Sequence, residues 1–479
     1  MTETIKVDVA VIGAGTAGLN ARREVEKRGG RVVMIEGGAY GTTCARVGCM
    51  PSKLLIAAAH AAHHLETAPR FGVHPGADRR VDGGAVMARV RRERDRFVGF
   101  VVKDTEAIPP AQRLRGHARF TGPTTLVVDE RVRVEARAVV VAAGSHPFVP
   151  PPFDAIRDHV LTSDEVFELP DLPASVAVIG TGIIALELGQ AFARLGARTA
   201  FFNPFDELGP FTDPEVKGVV RRELSAELDL RLGVKVTAAV PEAGGVRLRW
   251  HDAGGAAREE TFERVLVAAG RRPNIGDLGL EATGLALDRR GLPAVDPGTA
   301  QCGDAPIFFA GDASGHLPLL HEASDEGRIA GANAMLYPAV ERHERRTPLA
   351  IAFTDPQMAM VGLRHADLPE DRHVVGQVSF ENQGRARVAG VNRGLMRLYG
   401  ELGSCRLLGA EMFGPGMEHM AHLLAWSVQQ GMTVPGMLAM PFYHPVLEEG
   451  LRTGQRDLGA RLQALGGCRP EDHAEAPGD

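Results

Sequence analysis

The chain has little cysteine, little aromatic side chain and little net charge. Five cysteines in 479 residues cannot form a disulfide framework, which excludes the small disulfide-dense secreted scaffolds. Aromatics make up 5% of the sequence, so the core must be built on Ala, Val and Leu. A net charge of −6 is mild for this length and argues against nucleic acid or an anionic membrane surface as a partner. No uncharged apolar run reaches the ~18 residues of a membrane span. The chain enters "IKVDVAVIGAG" almost at once, without the charged start, apolar stretch and cleavage site of a secretory leader. The expected setting is therefore the cytoplasm, where a disulfide is most often catalytic or redox-sensing.

Glycine, by contrast, is plentiful at 57 residues. Val7 to Ile12 is an apolar run suited to a strand buried on both faces, and "GAGTAG" follows it, leading into a helical stretch. A second buried strand ends at Glu36. This is a βαβ unit. Gly13, Gly15 and Gly18 permit the tight turn, the backbone approach to a pyrophosphate and close helix–strand packing, and Glu36 can accept from ribose hydroxyls. The pattern returns in "SVAVIGTGIIALELGQAFARLGARTAFFN", where Gly180 and Gly182 open the turn and Ala185 takes the third place. Asn203 then lies as far beyond Gly180 as Glu36 lies beyond Gly13. Two such units imply two dinucleotide sites. Asn203 can bond a ribose hydroxyl but does not repel a 2′-phosphate. No arginine stands in "NPFDELGPF" to attract one. The balance favours NAD and leaves NADP open.

Leu54 to about His117 reads as helical, with "RVRRERDRF" as a solvated face. "PFVPPPF" and the end of "RVLVAAGRRPN" read as crossings between domains, and "VERHERRTP" as a further boundary. The expected fold class is α/β, with two Rossmann-like dinucleotide-binding domains and an α+β C-terminal dimerisation domain. The boundaries are 1–148 with 275–345, then 149–274, then 346–465, with a disordered tail at 466–479.

"GTTCARVGCMPSK" carries Cys44 and Cys49. A zinc site would want a second short-spaced pair, and Cys302, Cys405 and Cys468 are each isolated in the sequence. Five positions along an ideal helix rise about 7.5 Å, beyond the ~6.8 Å that a disulfide spans. If bonded, the pair therefore lies on a distorted helix start. Gly48 and Pro51 suit that, and a thiolate there gains from the helix dipole.

Taken in order, "GAGTAG", "GTTCARVGCMPSK", "VVVAAGSHP", "GTGIIALELG", "VLVAAGRRPN", "FFAGDAS", "FTDPQMAMVG" and "HPVLEE" resemble the class I pyridine nucleotide–disulfide oxidoreductases, nearest their dihydrolipoamide dehydrogenase group. The resemblance implies that the first unit holds FAD, with Gly41, Thr42, Gly144 and Gly311 among its contacts. Asp312 would meet the ribityl chain and Ala118 would lie near the adenosine. The second unit would hold NAD, with Gly270 added to its contacts. The resemblance implies that Cys49 faces the flavin and Cys44 the substrate, with Lys53 and Glu187 paired beside the flavin. His444, oriented by Glu449, would serve as acid–base from the other subunit of a homodimer. The implied reaction oxidises dihydrolipoamide with NAD; the lipoyl group comes from a small molecule or another protein. The alternative is a reductase of glutathione-type disulfides, other small disulfides or quinones. Mercuric reductases carry a vicinal cysteine pair near the C-terminus, which this tail lacks. The chain departs from the pattern at Ala143, Val446 and Asn203, where family members commonly carry Thr, Thr or Ser, and an acid.

Overall fold

The computed structural model describes residues 3–76 and 80–467. Strand β1 (Glu3–Ile12) leads into helix α1 (Thr16–Lys27) and strand β2 (Val32–Glu36). β1 and β2 pair in parallel and are apolar along their inner stretches, as central strands covered on both faces must be. They belong to a seven-stranded sheet that also takes in Val132–Val141 and Ile307–Phe309, so one layer gathers residues far apart in the chain.

Helix α2 (Thr43–Val47) is one short turn, and α3 (Cys49–Thr67) begins immediately after Gly48. Helix α4 (Gly83–Glu106) packs against α3. The region expected to be helical up to His117 therefore ends earlier. Arg113–Arg115 is a strand on the edge of the first sheet, too short for any periodicity to reveal it. The "RVRRERDRF" face is not wholly solvated either, because Arg94 is buried and ion-paired with Glu168 and Asp95.

The second unit is a parallel five-stranded sheet centred on Ser175–Ile179, followed by helix α5 (Ile183–Arg194). Helix α6 (Pro214–Ser225) is capped by Asp213, whose carboxylate also meets Arg397 and Tyr399. Ser145–Pro147, at the start of the proline-rich stretch, pairs antiparallel with Arg271–Pro273.

Helix α7 (Leu320–Leu336) returns to α1. A Cβ on Gly327 would collide with the Ala17 carbonyl and one on Gly331 with that of Ala21, so small residues set this close approach. Residues 340–348 run without regular structure, tied down by Arg342–Asp296, Arg345–Glu322 and Arg346–Asp325 pairs. The last layer is an antiparallel five-stranded sheet over 349–414, covered by helices Met417–Gln429 and Glu449–Ala464. Gly376 lets the latter helix lie directly on the sheet at Leu458. The chain turns at Gly466, and the rest of the tail expected to be disordered lies outside the described residues. Among the described residues no helix is long and apolar enough to cross a membrane.

Candidate active site

Gly13 sits at φ +106°, and a Cβ there would run into the Ala142 carbonyl oxygen. Gly15, the N-cap of α1, faces open space, which leaves the first turn of the helix accessible. The helix N-terminus thus offers free N–H groups and its positive dipole end at a point where backbone alone forms the wall. Gly18 packs on the Gly13 carbonyl. The Glu36 carboxylate accepts from the amides of Ala14 (2.7 Å) and Gly38 (2.6 Å), and a carboxylate has lone pairs left for two hydroxyls. Ala118 is buried on a short strand beyond the end of β2. Gly41 and Thr42 both have positive φ, and the Thr42 hydroxyl caps α2 by accepting from Ala45.

Asp312 lies in the turn after the Ile307–Phe309 strand and accepts from the Ser145 hydroxyl at 2.6 Å, one residue beyond Gly144. The turn is held from below by Glu326 of α7, which accepts from the Gly311 amide (2.8 Å) and the Ser314 hydroxyl (3.1 Å). Burial raises the Glu326 pKa against the pull of these donors and of Arg345.

In the second unit Gly180 repeats the geometry of Gly13, its Cβ position blocked by the Ala268 carbonyl, and Gly182 opens α5. A cavity of about 790 Å³ runs from Gly180, Gly182 and Asn203 past Gly270 to Asp312. Asn203 lines it, but both of its amide hydrogens are occupied, by the Thr181 hydroxyl (2.5 Å) and the Glu207 carbonyl (2.9 Å). Its oxygen accepts from Phe205. Its amide hydrogens thus brace the following loop, and its oxygen keeps a lone pair facing the cavity. Thr181 was the missed partner, and its place inside the glycine turn is the only signal the sequence carries for it.

The cysteines stand on either side of the α2–α3 break, Cys44 in α2 and Cys49 as the first residue of α3. Both are free thiols, within hydrogen-bonding reach of each other. Pro51 falls in the first turn of α3, where its missing N–H deprives the helix of little. One turn on, Lys53 Nζ lies 2.9 Å from Glu187 Oε2, and Glu187 is almost fully buried. The other carboxylate oxygen accepts from the Phe353 amide at 2.8 Å, and the Phe353 ring sits 4.5 Å beneath the ammonium. Phe353 was also missed as a site residue, although it opens the "FTDPQMAMVG" motif. Arg194 and Gln190, further along α5, grip Asp355 and so fix the Phe353 turn against the helix that carries Glu187. Lys53 lies on α3, Glu187 on α5 and Phe353 just after the strand Leu349–Ala352, so three distant segments meet here.

His444 and Glu449 meet at 2.9 Å, and the second Glu449 oxygen accepts from the Val446 amide. The bond to the His444 ring first, with the Val446 amide, holds the Glu449 carboxyl below its ordinary range against the opposing effect of burial. The ring itself is 81% exposed, and no hydrogen bond joins it to Cys44 or Cys49 within the chain.

The family model of the pyridine nucleotide-disulphide oxidoreductases matches residues 7–327, and that of the family's dimerisation domain matches 349–454. The chain belongs to this family. As a member of it, the protein is a flavoprotein disulfide oxidoreductase that uses FAD and NAD(H). Dihydrolipoyl dehydrogenase 3 of Pseudomonas aeruginosa is 32% identical over 95% of this chain and 98% of its own length. Mercuric reductase of Shigella flexneri is 31% identical over 96% of this chain and 82% of its own length. The solved structure of LpdA from Mycobacterium tuberculosis shares the fold with a TM-score of 0.80 at 23% identity, covering 94% of this chain and 99% of that chain.

The donor set suits both cofactors. The cradle around Gly13 and Gly15 is open to a pyrophosphate, with Glu36 beyond it, and the 790 Å³ cavity ends at Asp312. The two thiols are unequal. The Cys44 hydrogen bond and the Lys53 charge lower the Cys49 thiol to about 7, against burial and the Glu187 charge. The same pairing, with burial, raises Cys44. Cys49 is therefore the thiolate of the reduced pair above about pH 7, and alkylation of the reduced protein by iodoacetamide is expected to accelerate through that pH. In Lys53→Met the midpoint moves upward, since the ammonium is lost and buried Glu187 is left facing Cys49. A midpoint unchanged by the substitution refutes the coupling.

Proposed function

We propose that the protein catalyses dihydrolipoamide + NAD+ → lipoamide + NADH + H+ as a homodimer. The carrying observation is the Cys44–Cys49 dithiol across a helix break, with the Lys53–Glu187 pair one turn away. The kinship to dihydrolipoyl dehydrogenases supports the substrate class. In this reading residues 1–148 with 275–345 hold FAD, 149–274 hold NAD and 346–465 join the subunits. Ala118, Gly41, Thr42, Gly144, Gly311 and Asp312 line the flavin site; Gly180, Gly182, Asn203 and Gly270 line the nicotinamide nucleotide site. The setting is the cytoplasm.

The chain's own residues divide the work. In the oxidised enzyme Cys44 and Cys49 are bonded. A substrate thiolate attacks Cys44 Sγ, forming a mixed disulfide, and Cys49 leaves as a thiolate. The second substrate thiol gives its proton to His444 and attacks its sibling sulfur, closing the substrate disulfide and releasing Cys44. His444, held by Glu449, returns the proton to Cys44 or passes it to solvent. Two electrons now reside on the cysteine pair. Bound FAD supplies their transfer as hydride to NAD+. Lys53, balanced by Glu187, provides positive charge beside the Cys49 thiolate.

Parallel steady-state kinetics with dihydrolipoamide, glutathione disulfide, NAD and NADP test this reading. The expected result is the highest kcat/KM for dihydrolipoamide with NAD. A higher kcat/KM for glutathione disulfide with NADPH selects the glutathione-type alternative.

A further inference from the structure

Three buried side chains along α5, Glu187, Gln190 and Arg194, all bond one turn, Phe353 to Asp355. Their spacing of three and four residues puts them on one face of the helix. Glu187 Oε1 accepts from the Phe353 amide at 2.8 Å. Gln190 exchanges two bonds of 2.9 Å with the Asp355 backbone. Arg194 meets the Asp355 carboxylate at 2.7 Å and its carbonyl at 3.0 Å. Burying a carboxylate and a guanidinium is a costly way to gain stability alone. What this strip fixes in place is the Phe353 ring.

The ring lies under Lys53, whose ammonium stands 4.5 Å from its centre. An ammonium has three N–H groups to place. One Glu187 oxygen is committed to the Phe353 amide, so only Oε2 holds the ammonium, at 2.9 Å. The Ser52 hydroxyl, at 3.4 Å, is a long contact. The π face attracts the cation without bringing a formal charge. That difference bears on Cys49. Cys44 and Lys53 favour the Cys49 thiolate, and the Glu187 charge opposes it. A second carboxylate in place of the ring would hold Lys53 as firmly and cancel its field at the sulfur. Arg194, Glu227, Asp355 and His60 form a separate ionic group further along α3 and α5.

We propose that Phe353 is a positioning residue for disulfide exchange, its ring face holding the Lys53 ammonium where it stabilises the Cys49 thiolate. Phe353 falls within the residues matched by the dimerisation model, so that domain reaches the redox centre of its own chain. The inference rests on the coupling of Lys53 to Cys49.

The test places mono-, di- and trifluorinated phenylalanine at position 353 of the FAD-loaded enzyme. Fluorine withdraws charge from the ring face and leaves the ring's size nearly unchanged, so a merely structural role would not respond. The readouts are the pH midpoint of iodoacetamide alkylation in the reduced protein, and kcat with dihydrolipoamide and NAD. The midpoint is expected to rise with each fluorine towards that of Phe353→Leu. In Phe353→Leu the thiolate below the midpoint is expected to be about fivefold scarcer, with kcat lower by a similar factor and KM little changed. Phe353→Tyr keeps a π face and is expected to match the parent. A midpoint that stays flat or falls across the fluorinated series overturns the proposal, even if Phe353→Leu is impaired. Lys53→Met, measured alongside, separates the two readings. If its midpoint equals the parent's, the Lys53–Cys49 coupling fails and the role of Phe353 falls with it. If its midpoint shifts while the fluorinated series stays flat, the role of Phe353 alone fails.

Discussion

Cys49→Ser is expected to lose disulfide turnover by about a thousandfold or more while still binding FAD. Serine cannot form the disulfide with Cys44, so the electron pair has no store between substrate and nicotinamide. The Gly13, Glu36 and Asp312 contacts lie elsewhere, which is why flavin retention should be near the parent's. Cys44→Ser is expected to be equally inactive with disulfides but to differ in its spectrum. It keeps the Cys49 thiol, lowered to about 7, and a hydroxyl at 44 still able to donate to the thiolate. As purified, without any reductant, it should show a long-wavelength thiolate–flavin band that strengthens as pH rises through about 7. Cys49→Ser should show no such band at any pH. Both serine variants should keep transfer from NADH to ferricyanide, which needs no cysteine pair. Disulfide turnover surviving in either variant, or the band appearing in the wrong one, overturns the assignment of inner and outer sulfurs.

The parts of this site legible in the sequence are those whose chemistry is local. Gly13 and Gly180 must be glycine because a backbone carbonyl fills the space of a side chain, and a turn between a buried strand and a helix announces that need within a dozen residues. The cysteine pair is legible for the same reason, since Gly48 and the first turn of α3 are adjacent to it. Lys53–Glu187 is not local; it joins residues 134 apart and is recoverable only from resemblance. Phe353 completes that pair from 166 residues away, and no pattern around Glu187 points to it. Asn203 is legible only in part. Its residue type and position suggest a ribose contact, and no sequence pattern announces that its two amide hydrogens also go to the Thr181 hydroxyl and the Glu207 carbonyl.

The exposed ring of His444 bonds Glu449 and makes no bond to the cysteines beside which it is proposed to act. His444→Gln is expected to lower kcat with dihydrolipoamide by about a hundredfold to ten-thousandfold, with flavin and NADH binding unchanged. Glu449→Gln should fall by less, because the amide still accepts from the ring but gives up the carboxylate that stabilises its charged form. If the second subunit supplies His444, two dead variants can rescue each other. In a dimer of one Cys49→Ser chain and one His444→Gln chain, both defects fall in one site. The other site then combines an intact cysteine pair with an intact histidine. Unfolding the two variants together and refolding them with FAD should give dimers at random. Half would be mixed, each with one good site, so activity should return to roughly a quarter of the parent's. If His444 serves the cysteines of its own chain, each site in the mixed dimer carries one defect and no activity returns. The variants refolded separately provide the baseline, and their lack of activity alongside recovery in the mixture would establish that the active site is built from two chains.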